Sequence, residues 1–176
     1  MAHIHTKPGE HDHTASAVII RTDGDEPRIL LHLHKKLHRY MQFGGHIETD
    51  ENPWDAVKHE LLEESGYEMS QLKILQPKKF LRSVTDAKLH PVSIYHKTHI
   101  FNETHFHTDI AYAFVTTEEP KHEVAADEST DTVLLTRQEL VNFPKDKTRE
   151  SIREAALFVF DICLKEWERV DPKVFD

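Results

Sequence analysis

The stretch that most restricts how this chain can fold is NPWDAVKHELLEESGY, residues 52–67. Asn52 suits an N-cap, Pro53 the first helical position and Gly66 the left-handed position that ends a helix, so one helix is predicted between them. At about 100° per residue, Trp54, Val57 and Leu61 form an apolar sector beside a sector holding Glu60, Glu63 and Glu64. A helix divided in this way needs a sheet under one side and a cleft beside the other. Its acids repel at i,i+3 and i,i+4 and oppose the helix dipole, each at a cost of a few tenths of a kcal/mol. A hard divalent cation removes that penalty, because Mg²⁺ takes carboxylate and carbonyl oxygens and leaves positions for water and substrate phosphates.

The rest of the chain supplies the sheet. TASAVII and RILLHLH, on either side of Asp23-Gly24-Asp25, read as two strands at 15–21 and 28–34. In the second, Ile29, Leu31 and Leu33 share one face and Leu30, His32 and His34 the other, so one face is expected to pack and the other to carry imidazoles. Residues 35–51 read as a polar, glycine-containing connection into the helix. LKILQPKKFLRSV, HPVSIYHKTHIF and HFHTDIAYAFVTT read as further strands, the last two joined through Asn102, Glu103 and Thr104. In the last of these, Phe106, Ile110, Tyr112 and Phe114 oppose His105, His107 and Asp109. An acidic loop at 117–131, the strand TVLLT, a short helix opened by a Thr136/Glu139 capping box, and an amphipathic helix from about Thr148 to Val170 complete the pattern. Strands and helices alternate without repeats, which predicts one α/β domain over 14–176 behind a loose, histidine-bearing arm at 1–13.

Composition narrows the partners. A formal net charge of −9 argues against binding a nucleic acid polymer, and an anionic substrate would then need metal ions. The longest apolar run, residues 155–160, is far shorter than the roughly 18 residues that span a bilayer, and the expectation is a cytoplasmic protein. The single cysteine, Cys163, lies within an apolar helical pattern and reads as a small core residue. Fifteen histidines are several-fold above ordinary usage.

The spacing around the helix is more specific than its physics. Gly45, five residues, Glu51, seven residues, then His59-Glu60-Leu61-Leu62-Glu63-Glu64-Ser65-Gly66-Tyr67 resembles the Nudix box, G-x5-E-x7-R-E-U-x-E-E-x-G-U with U bulky and apolar. The resemblance implies an α/β/α sandwich around a mixed sheet. It implies a metal-dependent hydrolase that attacks a nucleoside diphosphate-linked substrate with water at phosphorus. It further implies Glu60, Glu63 and Glu64 as ligands of Mg²⁺ or Mn²⁺, the Gly45 carbonyl as another, and Glu51 as a supporting carboxylate. Candidates for the general base are Glu60 first and Glu128 second, the latter reading equally as a solvated acid.

Two positions depart from the pattern. His59 stands where the family has arginine, and a shorter, forkless and mostly neutral side chain is expected to orient the glutamates less firmly. Phe43 stands where many relatives have proline, which suggests a slightly altered loop. TASA, HLHKKLHRYMQFGGHIE and HFHTD also resemble a bacterial, histidine-rich Nudix subgroup. His34, His46, His107 and Asp109 read equally as ligands for substrate phosphate or base, as a transition-metal set, or as structural residues of a polar sheet face. Several of the histidines are expected on the same sheet face as the box. Lys35, Lys36 and Arg39 could reach an anionic substrate or form a solvated turn.

The alternative function is a Nudix-fold nucleotide or ligand sensor without turnover, against which the intact box glutamates speak. An isopentenyl diphosphate isomerase of the same fold needs an active-site cysteine, and Cys163 lies too deep in its helix pattern. A homodimer is compatible with the sequence.

Overall fold

A computed structural model describes residues 7–101 and 105–176. Residues 1–6 of the expected N-terminal arm and the turn at 102–104 lie outside the described residues. The elements run β1 (His11–Arg21), β2 (Arg28–His34), β3 (Arg39–Met41), β4 (Phe43–His46), α1 (Pro53–Ser65), β5 (Lys73–Gln76), β6 (Tyr95–Ile100), β7 (Phe106–Thr116), β8 (Thr132–Thr136), α2 (Arg137–Asn142), α3 (Glu150–Phe158) and β9 (Glu168–Val170).

The spine of the sheet is a parallel pair, β1 against β7, in register from His11↔Phe106 to Arg21↔Thr116. Each spine strand has a different antiparallel partner at each end. β1 pairs β4 at its start and β2 at its finish, and β7 pairs β6 and then β5. The order β3-β2-β1-β7-β5-β9, with β4, β6 and β8 attached beside it, makes one mixed sheet.

Alternation along the spine sends side chains into two cores. Ala15, Ala17, Ile19, Tyr112 and Phe114 meet Trp54, Val57 and Leu61 of α1 on one face. Val18, Ile20, Ala113 and Val115 meet Ile152, Ala156 and Val159 on the other. The result is the expected α/β/α sandwich. Trp54 is fully buried, stacked on Phe114 with centroids 6.1 Å apart and edge-on to Tyr112. Cys163 is a core residue of the second face, and burial pushes its thiol up to about 12, far from a reactive thiolate.

The helix limits match the sequence reading. Asn52 Oδ1 accepts the N–H groups of Trp54 and Asp55, and Gly66 closes the helix with φ 70°. The Thr136/Glu139 capping box is also formed.

Other expectations are corrected. β1 begins at His11, inside the stretch expected as an arm. The polar connection after β2 contains β3 and β4, which form because β2 and β1 offer them open edges. The segment starting at Leu72 keeps strand form only over Lys73–Gln76. The last helix passes through a π-helical stretch at Val159–Cys163 and stops at Glu166, and Glu168–Val170 then leaves as a strand to pair β5. Both faces of β2 are covered: Ile29 and Leu31 enter one core, Leu30 the other, and His32 is buried beside Leu30 on the α1 face. Phe43, expected in a loop, is a fully buried strand residue paired with Ala17 and packed on the His32 ring.

Candidate active site

Gly45 and α1 form the floor of the site. Ala15 pairs with Gly45, so this glycine faces α1, and a Cβ there would stand 2.2 Å from Glu60 Oε1. No residue with a side chain fits unless Glu60 moves away. The neighbouring Gly44 N–H donates to Glu64 Oε2 at 2.6 Å. Glu60 and Glu64 are thus drawn into the sheet edge, both buried, while Glu63 projects from the helix half-exposed.

Two buried carboxylates cannot both ionise freely. Burial raises Glu60 to about 7, opposed by His59 and reinforced by Glu63 and Glu128. Burial also lifts Glu64 well above the ordinary carboxylate range, against the Gly44 N–H and with Glu60 and Glu128 adding to it. Glu60 Oε1 is buried and has no hydrogen-bond partner among the described residues. An orphaned carboxylate oxygen beside a second buried carboxylate is the donor set that a hard divalent cation completes, and the residues fit such an ion.

His59 does more than its size suggested. Its Nδ1 bonds Glu51 Oε1 at 3.1 Å and its Nε2 lies 3.2 Å from Glu63 Oε1, so the one ring spans both acids. Burial of the ring disfavours its charge, but Glu63, Glu60 and Glu51 outweigh that and raise its pKa. At the position expected to orient the glutamates less firmly, the one imidazole touches both Glu51 and Glu63.

The acidic loop closes the site. Ala125 N–H donates to the Glu63 carbonyl at 2.8 Å and His122 N–H to that of Gly66 at 3.1 Å. Glu119 takes two bonds of 2.7 Å from the buried Arg21 guanidinium, whose Nη1 also reaches the Tyr67 hydroxyl. This anchoring brings Glu128 to the box: one ligand atom each from His32, Glu64 and Glu128 lie within 4.8 Å of one another. Burial lowers His32 to about 4, with His34 adding to the effect, so this ring is a neutral donor. Sequence reasoning left His32 out of the site. The signal was its place on the face of β2 that also carries Leu30. Between α1 and the loop lies a cavity of about 650 Å³ lined by Leu30, Phe43, Glu64, Glu128, Thr132 and Leu134, among others.

The remaining candidates are not brought to the box. His34 Nδ1 accepts the N–H groups of Lys36 and Leu37 and ties down the turn after β2. Arg39 is exposed on β3, and Lys35 donates to the Asp127 carbonyl. His46, His107 and Asp109 lie on the opposite face of the sheet, because His46 pairs with Thr14 where Gly45 pairs with Ala15. Asp109 there accepts from Thr14 and Ser16 at 3.0 and 2.8 Å and from the Tyr95 hydroxyl at 2.8 Å. The expectation that several histidines share the box face holds for His32 and His34 and fails for His46 and His107.

The chain as a whole is similar to known proteins. The family model described as NUDIX domain matches residues 11–156. A NUDIX-family hydrolase from Clostridium perfringens superposes with TM-score 0.68 at 26% identity, over 87% of this chain and 98% of that one. A NUDIX hydrolase from Nitrosomonas europaea gives 0.60 at 16%, over 95% and 97%, and an Ap4A hydrolase of C. elegans gives 0.59 at 13%, over 84% and 95%. No curated protein sequence matches the chain.

Proposed function

The chain belongs to the Nudix hydrolase family, and from that premise we propose that it is a divalent-metal-dependent pyrophosphohydrolase of a nucleoside diphosphate-linked substrate. The observation that carries this reading is the pair of buried carboxylates at Gly44-Gly45, one with an orphaned oxygen. Ionised acids gathered at a helix end repel one another, and a bound cation removes that cost.

Glu60, Glu63, Glu64 and the Gly45 carbonyl would hold Mg²⁺ or Mn²⁺. When bound, the metal supplies charge neutralisation of the phosphate oxygens and a more acidic water. The chain's own groups do the rest. Glu60 is the first candidate to take the proton of the attacking water, and Glu128, which lines the cavity with Glu64, is the second. His59 positions Glu63 and Glu51 through its two ring nitrogens. The cavity, about 650 Å³, is large enough for a nucleoside moiety and partly shields the reacting group from bulk water. The C. elegans relative is named for hydrolysis of Ap4A, a dinucleoside polyphosphate, which supports a substrate of the same chemical class.

The test is a panel of nucleoside diphosphate derivatives with Mg²⁺ or Mn²⁺, run in oxygen-labelled water and read by mass spectrometry. Label is expected in a phosphate product and turnover should cease with chelator. No product from any member of the panel, with Glu63→Gln indistinguishable from the parent, would overturn the reading.

A further inference from the structure

The reverse face of the sheet holds a second group of ligating side chains, away from the box. The register builds it. In the parallel spine Asp12 stands beside His107, and in the β6–β7 pair His99 stands opposite the same residue. His105 precedes His107 by two, so both rings leave the chain on one side. His46 joins from β4, next to Thr14. Asp12, His105 and His107 are all buried, and one ligand atom from each lies within 4.8 Å of the other two.

The distances are those of ligands around an ion. His46 Nε2 and His105 Nε2 stand 3.6 and 3.7 Å from Asp12 Oδ2, beyond the reach of a direct hydrogen bond. In a tetrahedral site with bonds of about 2.0–2.2 Å, ligand atoms are roughly 3.3–3.6 Å apart. His46 lies beside the group, edge-on to His107 with ring centroids 5.1 Å apart and its Nε2 near Asp12, and stands outside the three-residue set. Phe101 stacks on His107 at 4.3 Å and 8° and shields the group from solvent. Imidazole with one carboxylate suits borderline first-row ions, whereas Mg²⁺ prefers oxygen donors.

We propose that Asp12, His105 and His107 form a buried site for one Zn²⁺-class transition ion that joins β1 to the start of β7 behind the active site. The ion staples the two spine strands and is not part of the hydrolytic centre.

The experiment uses Co²⁺ as the probe on the full chain, with excess Mg²⁺ present to occupy oxygen sites. One equivalent is expected to bind, with tetrahedral visible absorption that added Zn²⁺ abolishes. Removing an outer partner of a ligand costs about 10–100-fold in metal affinity, so His107→Asn should lose more than about 100-fold. Asp12→Asn, nearly isosteric, should lose the site with its far-ultraviolet dichroism intact, so the test survives if a histidine variant fails to fold. Glu63→Gln and the double variant His3→Ala/His5→Ala should bind as the parent does. Failure of the parent to bind Co²⁺, or undiminished binding in Asp12→Asn or His107→Asn, overturns the proposal. Loss confined to the tail variant would mark an adventitious ion at the N-terminal histidines, and loss confined to Glu63→Gln an ion in the box. Either overturns it as well.

Discussion

The two faces of the sheet at the β4 end are built by the same residues of the chain and have opposite chemistry. On the α1 face Gly45 meets carboxylates whose oxygens suit a hard ion; on the reverse face His46, the next residue, meets imidazoles. A strand sends successive side chains to opposite sides, so a single residue step separates the two environments. The carboxylate face is held in place by a helix whose apolar sector is deeply packed, and the imidazole face by strand register with Phe101 stacked on His107.

That contrast makes Trp54→Ala the most damaging change. It removes the central aromatic under α1 and should cost about 3–5 kcal/mol in urea unfolding, with both faces lost together if the domain unfolds in one step. Loss of the box alone, with the reverse face still ordered, would show that the faces are independent.

Glu63→Gln is the next largest. It should lower kcat on the order of 10²–10³-fold, the scale expected when one charged group that stabilises a transition state is removed. The thermal midpoint should barely move, because Glu63 is half-exposed and its ring partner keeps Glu51.

A smaller effect follows from Glu60. Its folded value of about 7 lies above the ordinary 4.5, so folding favours the protonated form. That contribution to stability is complete below 4.5 and is lost as pH rises through about 7. The metal-free protein should therefore lose thermal stability across this window, and added Mg²⁺, which binds the ionised form, should raise the midpoint most at its upper end. Differential scanning calorimetry with and without Mg²⁺ checks the sign, and a midpoint shift independent of pH would detach Glu60 from the cation.

The smallest change sharpens the comparison. His59 spans Glu51 and Glu63, a task an arginine fork also performs, so His59→Arg should hold kcat within about threefold of the parent or raise it. Collapse of turnover in that variant would give the imidazole a task of its own.

Much of this was legible from local chemistry. Asn52, Pro53 and Gly66 announce the limits of α1 because capping depends on neighbours in sequence. The alternation of β7 was equally readable, since Ile110, Tyr112 and Phe114 enter one core as their spacing requires. β4 was not, because four residues with two glycines have no strand preference of their own and pair only because β1 is open beside them. Missing β4 hid the consequence for His46: read as a strand, Gly45 and His46 must point apart. Likewise, sequence alternation told which residues of β2 share a side and could not say that α1 would cover the side bearing His32.

The spine has a kinetic consequence as well. Thr14 and Asp109, bonded across β1 and β7, are 95 residues apart in the chain. Pairing so distant closes a long loop before any contact rewards it and is the slow kind of event in folding. Until it occurs Asp12 is nowhere near His107. The imidazole set therefore waits on this long-range pairing, whereas Gly45 meets Glu60 through β1 and α1, which are nearer in sequence.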